Sequence, residues 1–440
     1  MVNDKIIINK RLPKNADIGI RFFKLDRKIR TRDNLISIAK SFHVNSVFWS
    51  YIKDRELIKT VQKLGWNFQG TVNSVAYELE HAKTDNNDQP IYNNYNDKKR
   101  YIADPQNKHY RLWYIRNIEE WLNMGVYNFQ RDEPTGLGPI GDNRRWIIED
   151  AINFFNYTHN HLDSISSKDI TFSCNLVWNK GIFSDDTDTL TKYFDFALTE
   201  INNREVNAEY LWQSSQSALQ RNKKIIYTGA LNGYRGLADL ETIRRQIAFS
   251  YSLGQNIIVP WDQYGGKNQP RIFSTPNELA DLFGFVRGIE PYLNDYYEVF
   301  AILPKSENLF SHVINFENHE NTLAAFMRVK ANDIDAPVVL HLIRTSKKTV
   351  STNLILDLSY IFPNSEVSIF FKTKKDYDKA IHEKVIHNAY SDSIINQYHH
   401  YSELVRTDTL FQNVKTNKIQ IKIPELDPWG IIILKKSQTR

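Results

Sequence analysis

The chain has one cysteine, Cys174, in 440 residues. No disulfide can form within it, and no metal site can be built from cysteines. No apolar segment approaches the ~20 residues that a membrane-spanning helix requires. Charge of one sign is also lacking, since 56 basic and 51 acidic residues leave a net of only +5. The bases are dispersed, with no stripe interleaved with aromatics, so a nucleic-acid partner has little to rest on. No His-Glu-x-x-His zinc helix and no Gly-x-Ser-x-Gly nucleophile elbow occurs. His159-Asn-His161 and His399-His400 have the wrong spacing for the first, and Ser214-Ser215 lacks the glycines of the second. No motif implies a metal or a cofactor. Met1 to Lys10 is short and charged, without the apolar core of a signal peptide. The chain therefore reads as cytosolic as it stands, or as secreted with a leader removed.

What is present is a rhythm. Strand-like runs are predicted at Ile18 to Phe23, Val44 to Trp49, Asn67 to Val72, Val126 to Phe129, Ile170 to Cys174, Ala208 to Trp212, Lys224 to Tyr227 and Asn256 to Val259. Helical patterns fall between many of them, at about Arg32 to Phe42, Arg55 to Leu64 and Tyr110 to Met124, and a closing helix is read at about Asn277 to Arg287. Eight strands alternating with helices over about 270 residues match a (β/α)8 barrel. A doubly wound open sheet is the competing architecture, but no glycine-rich phosphate loop follows the first strand. From about Tyr296 the strands continue without helices between them, which predicts a C-terminal antiparallel β-sandwich. The expected division is a barrel over 1–295 and a sandwich over 296–440. A polar stretch at 74–108 interrupts the barrel, at a place where a long loop overhangs the mouth and could cover a substrate.

The most informative segment is Gly125-Val-Tyr-Asn-Phe-Gln-Arg-Asp-Glu-Pro134. A buried strand ends there in two adjacent carboxylates, and Pro134 stops it because proline cannot donate to a sheet ladder. The C-terminal mouth of a parallel barrel is where such enzymes place their chemistry. If Phe129 faces the helices, strand alternation turns Gln130 and Asp132 inward. Asp132 and Glu133 are thus the catalytic candidates. Asp262, after the eighth strand, is the most plausible partner, ahead of Asp26 and of Glu78 in the long loop. The other strand ends supply Asp26, Trp49, Asn73, Gln130, Asn175, Trp212, Gln213, Tyr227, Tyr234 and Trp261. Flat rings that stack on a pyranose, with amides and carboxylates that bond its hydroxyls, are the chemistry of sugar recognition. The same tryptophans would also serve as barrel packing, and Asp132-Glu133 as a helix-capping or salt-bridged pair near Arg131.

With these residues in place the chain resembles the (β/α)8 glycoside hydrolases, over about residues 16 to 290 and on into the C-terminal sandwich that many of them carry. Asp427-Pro-Trp-Gly-Ile-Ile-Ile-Leu434 resembles the last strand of that module. In the clan with Asn-Glu-Pro after strand four, the resemblance makes Glu133 the acid/base, although Asp132 stands in place of the asparagine and no glutamate ends strand seven. In the α-galactosidase-like clan it makes Asp132 the nucleophile, with Gln213 or Ser214 where an aspartate is expected at strand six. In the hexosaminidase-like family it makes Asp132 the orienter of an acetamido group and Glu133 the acid. The activity implied is hydrolysis of a glycosidic bond in an oligo- or polysaccharide, with carbohydrate as the partner and the oligomeric state left open. The alternatives are a carbohydrate-binding barrel without activity, and a transglycosylase or polysaccharide lyase using Lys24, Arg131 and Tyr227.

Overall fold

The computed structural model describes residues 13–20, 32–33, 35, 43–76, 78–95, 98–136, 143–175, 188–201, 207–229, 240–259, 276–304, 308–317, 322–346, 352–373, 410–414 and 418–437. In chain order the first strands are β1 (Gly19–Ile20), β2 (Ser46–Ser50) and β3 (Asn67–Asn73). Helix α1 (Arg55–Lys63) joins β2 to β3. Asp54 caps its start by accepting from the backbone N–H groups of Glu56 and Leu57, and Leu57, Ile58 and Val61 form its buried stripe. Short strands β4 (Val75–Ala76), β5 (Tyr92–Tyr95) and β6 (Lys98–Ile102) come next, followed by helix α2 (Lys108–Leu122), which is capped by Asn107. The barrel resumes with β7 (Asn128–Asp132), α3 (Ile148–Ile165), β8 (Thr171–Cys174), α4 (Asp188–Thr191), β9 (Phe196–Ile201), α5 (Ala208–Gln220), β10 (Lys224–Gly229), α6 (Leu240–Ser252), β11 (Asn256–Val259) and α7 (Pro276–Gly288).

Eight of these strands close into a parallel barrel in the order β1-β11-β10-β9-β8-β7-β3-β2. The (β/α)8 expectation therefore holds. One strand is corrected. Ala208 to Trp212 is the first part of α5, not the sixth strand. Asn207 caps this helix by accepting from the Tyr210 N–H, and Leu211, Ser214, Ser215 and Ala218 recur on its buried face at helical spacing. The sixth strand is β9 instead, twelve residues earlier in the chain (Phe196 against Ala208). The fourth strand runs two to three residues later than expected and contains Asp132 itself. Of the helix expected at Arg32 to Phe42, Arg32, Asp33 and Leu35 are helical and the remainder lies outside the described residues.

Alternation sorts the barrel into two cores. Phe48, Trp49, Phe196, Leu198, Ile226 and Ile258 pack in the lumen. Val47, Phe129, Phe172, Ala197, Ile225, Tyr227 and Ile257 point outward into the layer shared with the helices. A bulge in β2 between Val47 and Ser50 lets consecutive Phe48 and Trp49 both join the lumen, with Trp49 in the left-handed region at φ 54°.

The C-terminal part has a six-stranded antiparallel sheet ordered β12-β14-β15-β20-β17-β18. Its strands are β12 (Tyr296–Ile302), β14 (Leu323–Lys330), β15 (Val338–Arg344), β17 (Val367–Thr373), β18 (Leu410–Val414) and β20 (Trp429–Lys436). A three-stranded sheet, β13 (Ile314–Glu317), β16 (Thr352–Asp357) and β19 (Lys418–Ile423), covers one face. Leu340, Leu342 and Ile432 meet Leu354, Leu356 and Ile421 between the sheets, which makes a sandwich. The other face of the large sheet, with Phe326, Ile343, Trp429 and Ile431, joins the core of the barrel helices. Phe326 meets Phe249 of α6, and Trp429 meets Phe285 of α7 edge-on. Burial on both faces explains the unbroken apolar run Trp429 to Leu434, which would alternate if one face met water. No helix among the described residues is long and apolar enough to cross a membrane.

Candidate active site

The site is built on the C-terminal ends of β3, β7 and β8, which are neighbours in the barrel. Asn73 pairs in register with Asp132, Thr71 with Gln130, and Gln130 with Ser173. Phe129 lies in the outer core, so Asn128, Gln130 and Asp132 share the lumen side. A polar ladder climbs the lumen beneath Asp132. Gln69 accepts from the backbone N–H of Trp49 at 3.1 Å, and its amide nitrogen donates to Asn128 at 3.0 Å and to Ser173 at 2.8 Å. The Ser173 hydroxyl in turn donates to Gln130.

Asp132 stands at the top of this ladder and is 7% exposed. The Tyr51 hydroxyl donates to one of its carboxylate oxygens, and the Asn175 amide donates to the other at 3.1 Å. A carboxylate whose two oxygens both accept is held in one orientation. Around it, Thr71 Oγ1, Gln130 Nε2 and Asn175 Oδ1 are buried and have no hydrogen-bond partner among the described residues. Buried polar atoms are nearly always satisfied, so three open ones beside one carboxylate mark a place where hydroxyls or water complete the network.

Glu133 turns away from this cluster. Its backbone is left-handed at φ 47°, a conformation that a non-glycine residue holds only under constraint. The Ser74 hydroxyl and the Gly136 N–H both donate to its carbonyl oxygen. Its carboxylate meets Arg100, with Nη2 3.0 Å from each oxygen. Arg100 belongs to the interruption at 74–108, which folds as a small antiparallel arm, ordered β4-β6-β5, rising from the end of β3.

Arg131, between them in sequence, points outward and is buried among rings. Its guanidinium carbon lies 3.9 Å from the ring centre of Phe172, 4.6 Å from Phe155, 5.8 Å from Phe194 and 5.9 Å from Tyr114. Burial lowers the Arg131 pKa, while the Tyr114 and Tyr110 phenols pull it the other way. The same pocket holds His159, lowered to about 3 by burial and by Arg131, and Asp195, raised by burial. Burial also raises the thiol of Cys174, an outer-core residue rather than an exposed nucleophile. Asp132-Glu133 is therefore no salt-bridged pair with Arg131, since Arg131 and Asp132 point to opposite sides of the wall.

Of the residues expected from sequence, Asn73, Gln130 and Asn175 lie with Asp132. Four others do not. Trp212, on α5, donates to Glu298 of the C-terminal sheet at 2.9 Å, and Gln213 donates to Glu209 on the outside of the same helix. Both placements follow from the misread sixth strand. Tyr227 faces outward and bonds Ser214 at 2.7 Å and the Leu211 carbonyl at 3.2 Å. Trp49 is 1% exposed and packs the lumen instead of presenting a face at the mouth. Asp26, Tyr234, Trp261 and Asp262 lie outside the described residues. Glu78 is half-exposed and sits 3.5 Å from His81. Two contributors were missed, Tyr51 and Arg100. Tyr51 lies just past the last residue of β2, Ser50, and the β2 bulge next to it is a feature that no local pattern signals. Lys98-Lys99-Arg100 reads as a solvated charge run. No group of three metal-ligating side chains occurs among the described residues.

No protein-family model matches the chain, and no curated protein sequence matches it. Solved structures do. The chain is similar to Eubacterium rectale Amy13B at TM-score 0.53 and 10% identity, covering 97% of this chain and 96% of that one. It is similar to Abp, a GH27 β-L-arabinopyranosidase from Geobacillus stearothermophilus, at TM-score 0.52 and 9% identity, covering 96% and 97%. A variant of the GH36 α-galactosidase AgaA from Geobacillus stearothermophilus aligns at TM-score 0.50 and 13% identity over 97% of this chain and 56% of that one. At these identities the likeness is one of architecture. The chain has the barrel-plus-β-domain fold found in these glycoside hydrolases.

Proposed function

We propose that the chain is a glycoside hydrolase whose central carboxylate is Asp132. The observation that carries this reading is the fixed, lumen-facing Asp132 at the end of the fourth barrel strand, surrounded by open polar atoms. Hydrolysis requires a second carboxyl group. With the sixth strand at β9, Glu200 becomes the candidate. It lies near the C-terminal end of β9, and its backbone pairs with Thr228. Asp262 is the alternative second carboxylate. We assign the chemistry to the barrel, within 1–295, and a supporting role to the sandwich, within 296–440.

In this reading Asp132 attacks the anomeric carbon while Glu200 gives its proton to the departing glycosidic oxygen. Glu200, now ionised, takes a proton from water. The resulting hydroxide character breaks the ester to Asp132, returning both groups to their starting states. Asn73, Thr71, Gln130 and Asn175 bond the hydroxyls of the reacting sugar. The test is reducing-end release from a panel of glycans by the parent, Asp132→Asn and Glu200→Gln, with mass spectrometry of a fluorosugar-trapped intermediate. A glycosyl adduct on Asp132 supports the assignment. Hydrolysis that survives Asp132→Asn removes it.

A further inference from the structure

The arm that follows β3 offers two different faces. Tyr92 pairs with Tyr101 and Asn94 with Lys99, while Asn93 pairs with Arg100. Directly opposed residues share a face, and the next pair along shares the other. Tyr92, Tyr101 and Lys99 pack on one another, with Lys99 Nζ 4.4 Å from the Tyr92 ring centre, and Tyr92 is exposed there. Asn93 and Arg100 belong to the opposite face, and Arg100 reaches Glu133 one residue beyond Asp132. Asn93 Oδ1 is buried and has no hydrogen-bond partner among the described residues. An acceptor shut from bulk water and left open, on the face turned to the catalytic strand, is placed for a donor that arrives with the substrate.

The arm is also held firmly at its root. Val75 and Ala76 pair with Ile102 and Tyr101, the Trp146 indole donates to the Ala103 carbonyl at 2.6 Å, and Lys83 donates to the Arg145 carbonyl at 3.1 Å. The Arg100–Glu133 pair ties its inner face to the residue that follows the catalytic strand. The pair is largely shielded, so water screens it less than a surface salt bridge.

We propose that this inner face is a second sugar subsite, next to the one that holds the reacting residue. Asn93 accepts a hydrogen bond from a hydroxyl of the neighbouring sugar, and the Arg100–Glu133 pair fixes the distance between arm and catalytic strand. Glu133 is then a positioning residue rather than the proton donor. The inference rests on the glycosidase reading above.

The experiment compares KM for an unbranched oligosaccharide with KM for an aryl monoglycoside of the same sugar, which cannot fill a second subsite. Asn93→Ala and Arg100→Met should each raise the ratio of the two about tenfold, the size of one lost hydrogen bond. The exchanged variant, Arg100→Glu with Glu133→Arg, should bring the ratio back to within about threefold of the parent. Hydrogen exchange of the amides of β5 and β6 should quicken in Arg100→Met and slow again in the exchanged variant. Ratios unmoved in folded Asn93→Ala and Arg100→Met, or exchange quickened without any change in the ratio, overturn the subsite. So does Glu133→Gln that loses turnover of unactivated substrate but keeps it for an activated aryl glycoside, because that is the signature of a proton donor. A parent that hydrolyses no glycan removes the glycosidase reading and this inference with it.

Discussion

Replacing Asp132 separates chemistry from packing more cleanly than any other change in this chain. In Asp132→Asn the amide oxygen still accepts from Asn175, and the amide nitrogen can donate to Tyr51, whose hydroxyl rotates to accept. Both partners stay satisfied, so the loss is only that of charge assistance, roughly 1 kcal/mol of stability. Asp132→Ala leaves two half-buried donors open and costs roughly 2–4 kcal/mol. If Asp132 is the attacking group, either change lowers kcat on the order of 10^4-fold, about 5 kcal/mol of transition-state stabilisation. The two scales differ enough to be told apart. Denaturant unfolding should rank the proteins parent, Asn, Ala, while the rate should drop in one step for both variants. A folded Asp132→Asn protein that keeps more than about a tenth of the parent kcat refutes the assignment.

Glu200→Gln should lose on the order of 10^2- to 10^4-fold on substrates with a sugar leaving group, and far less on activated aryl glycosides; an equal loss on both classes would show that Glu200 is not the proton donor. Gly70→Ala puts a methyl group 2.8 Å from the Trp121 ring of α2, so it should cost about 1–3 kcal/mol in urea unfolding, and a neutral result would mean that the helix yields freely. Burial and Arg287 lower His43 from 6.5 to about 3. Below the unfolded value the unfolded chain binds a proton that the folded chain refuses, so this stability is whole above pH 6.5 and is lost as pH falls toward 3. The loss should reach ~2 kcal/mol by about pH 5. His43→Asn, which suits the left-handed backbone at φ 57°, should flatten unfolding free energy between about pH 7 and 5, and an unchanged slope would locate the effect elsewhere.

The fold was legible where period and length agree. Long helices such as α2, the apolar run Trp429 to Leu434 of β20 and the alternation of strand and helix through most of the barrel follow from side-chain spacing alone. The sixth strand was not. Ala208-Glu-Tyr-Leu-Trp212 contains the bulky residues of a strand, and it is a helix because Asn207 caps it and because Leu211, Ser214, Ser215 and Ala218 continue its buried face. The pattern that decides the matter lies downstream of the segment in question. The true strand, Phe196–Ile201, opens with Phe196-Ala-Leu198, apolar on both sides, so its pattern cannot by itself be told from buried helix. That single slip carried Trp212 and Gln213 into the expected site.

The charged triplet Arg131-Asp132-Glu133 shows what adjacency in sequence leaves undecided. Three neighbouring charges invite the expectation of mutual pairing, yet each goes to a different place. Alternation sends Arg131 through the barrel wall to the helix side, where four rings surround it, and sends Asp132 to the lumen. Had the strand simply continued, Glu133 would have followed Arg131 outward. The left-handed turn at φ 47° prevents this and delivers Glu133 to Arg100, a residue 33 positions earlier in the chain. Such a turn costs of order 1–3 kcal/mol for a non-glycine residue. The bonds from Ser74 and Gly136 to its carbonyl and the shielded contact with Arg100 are what offset that cost. Glu133→Gly would relieve the backbone and delete the ion pair together, whereas Arg100→Met deletes the pair and leaves the strain. Both variants lose the pair and only Glu133→Gly also loses the strain, so Arg100→Met should be the less stable of the two in urea unfolding, and the opposite order would show that the left-handed turn stores little strain.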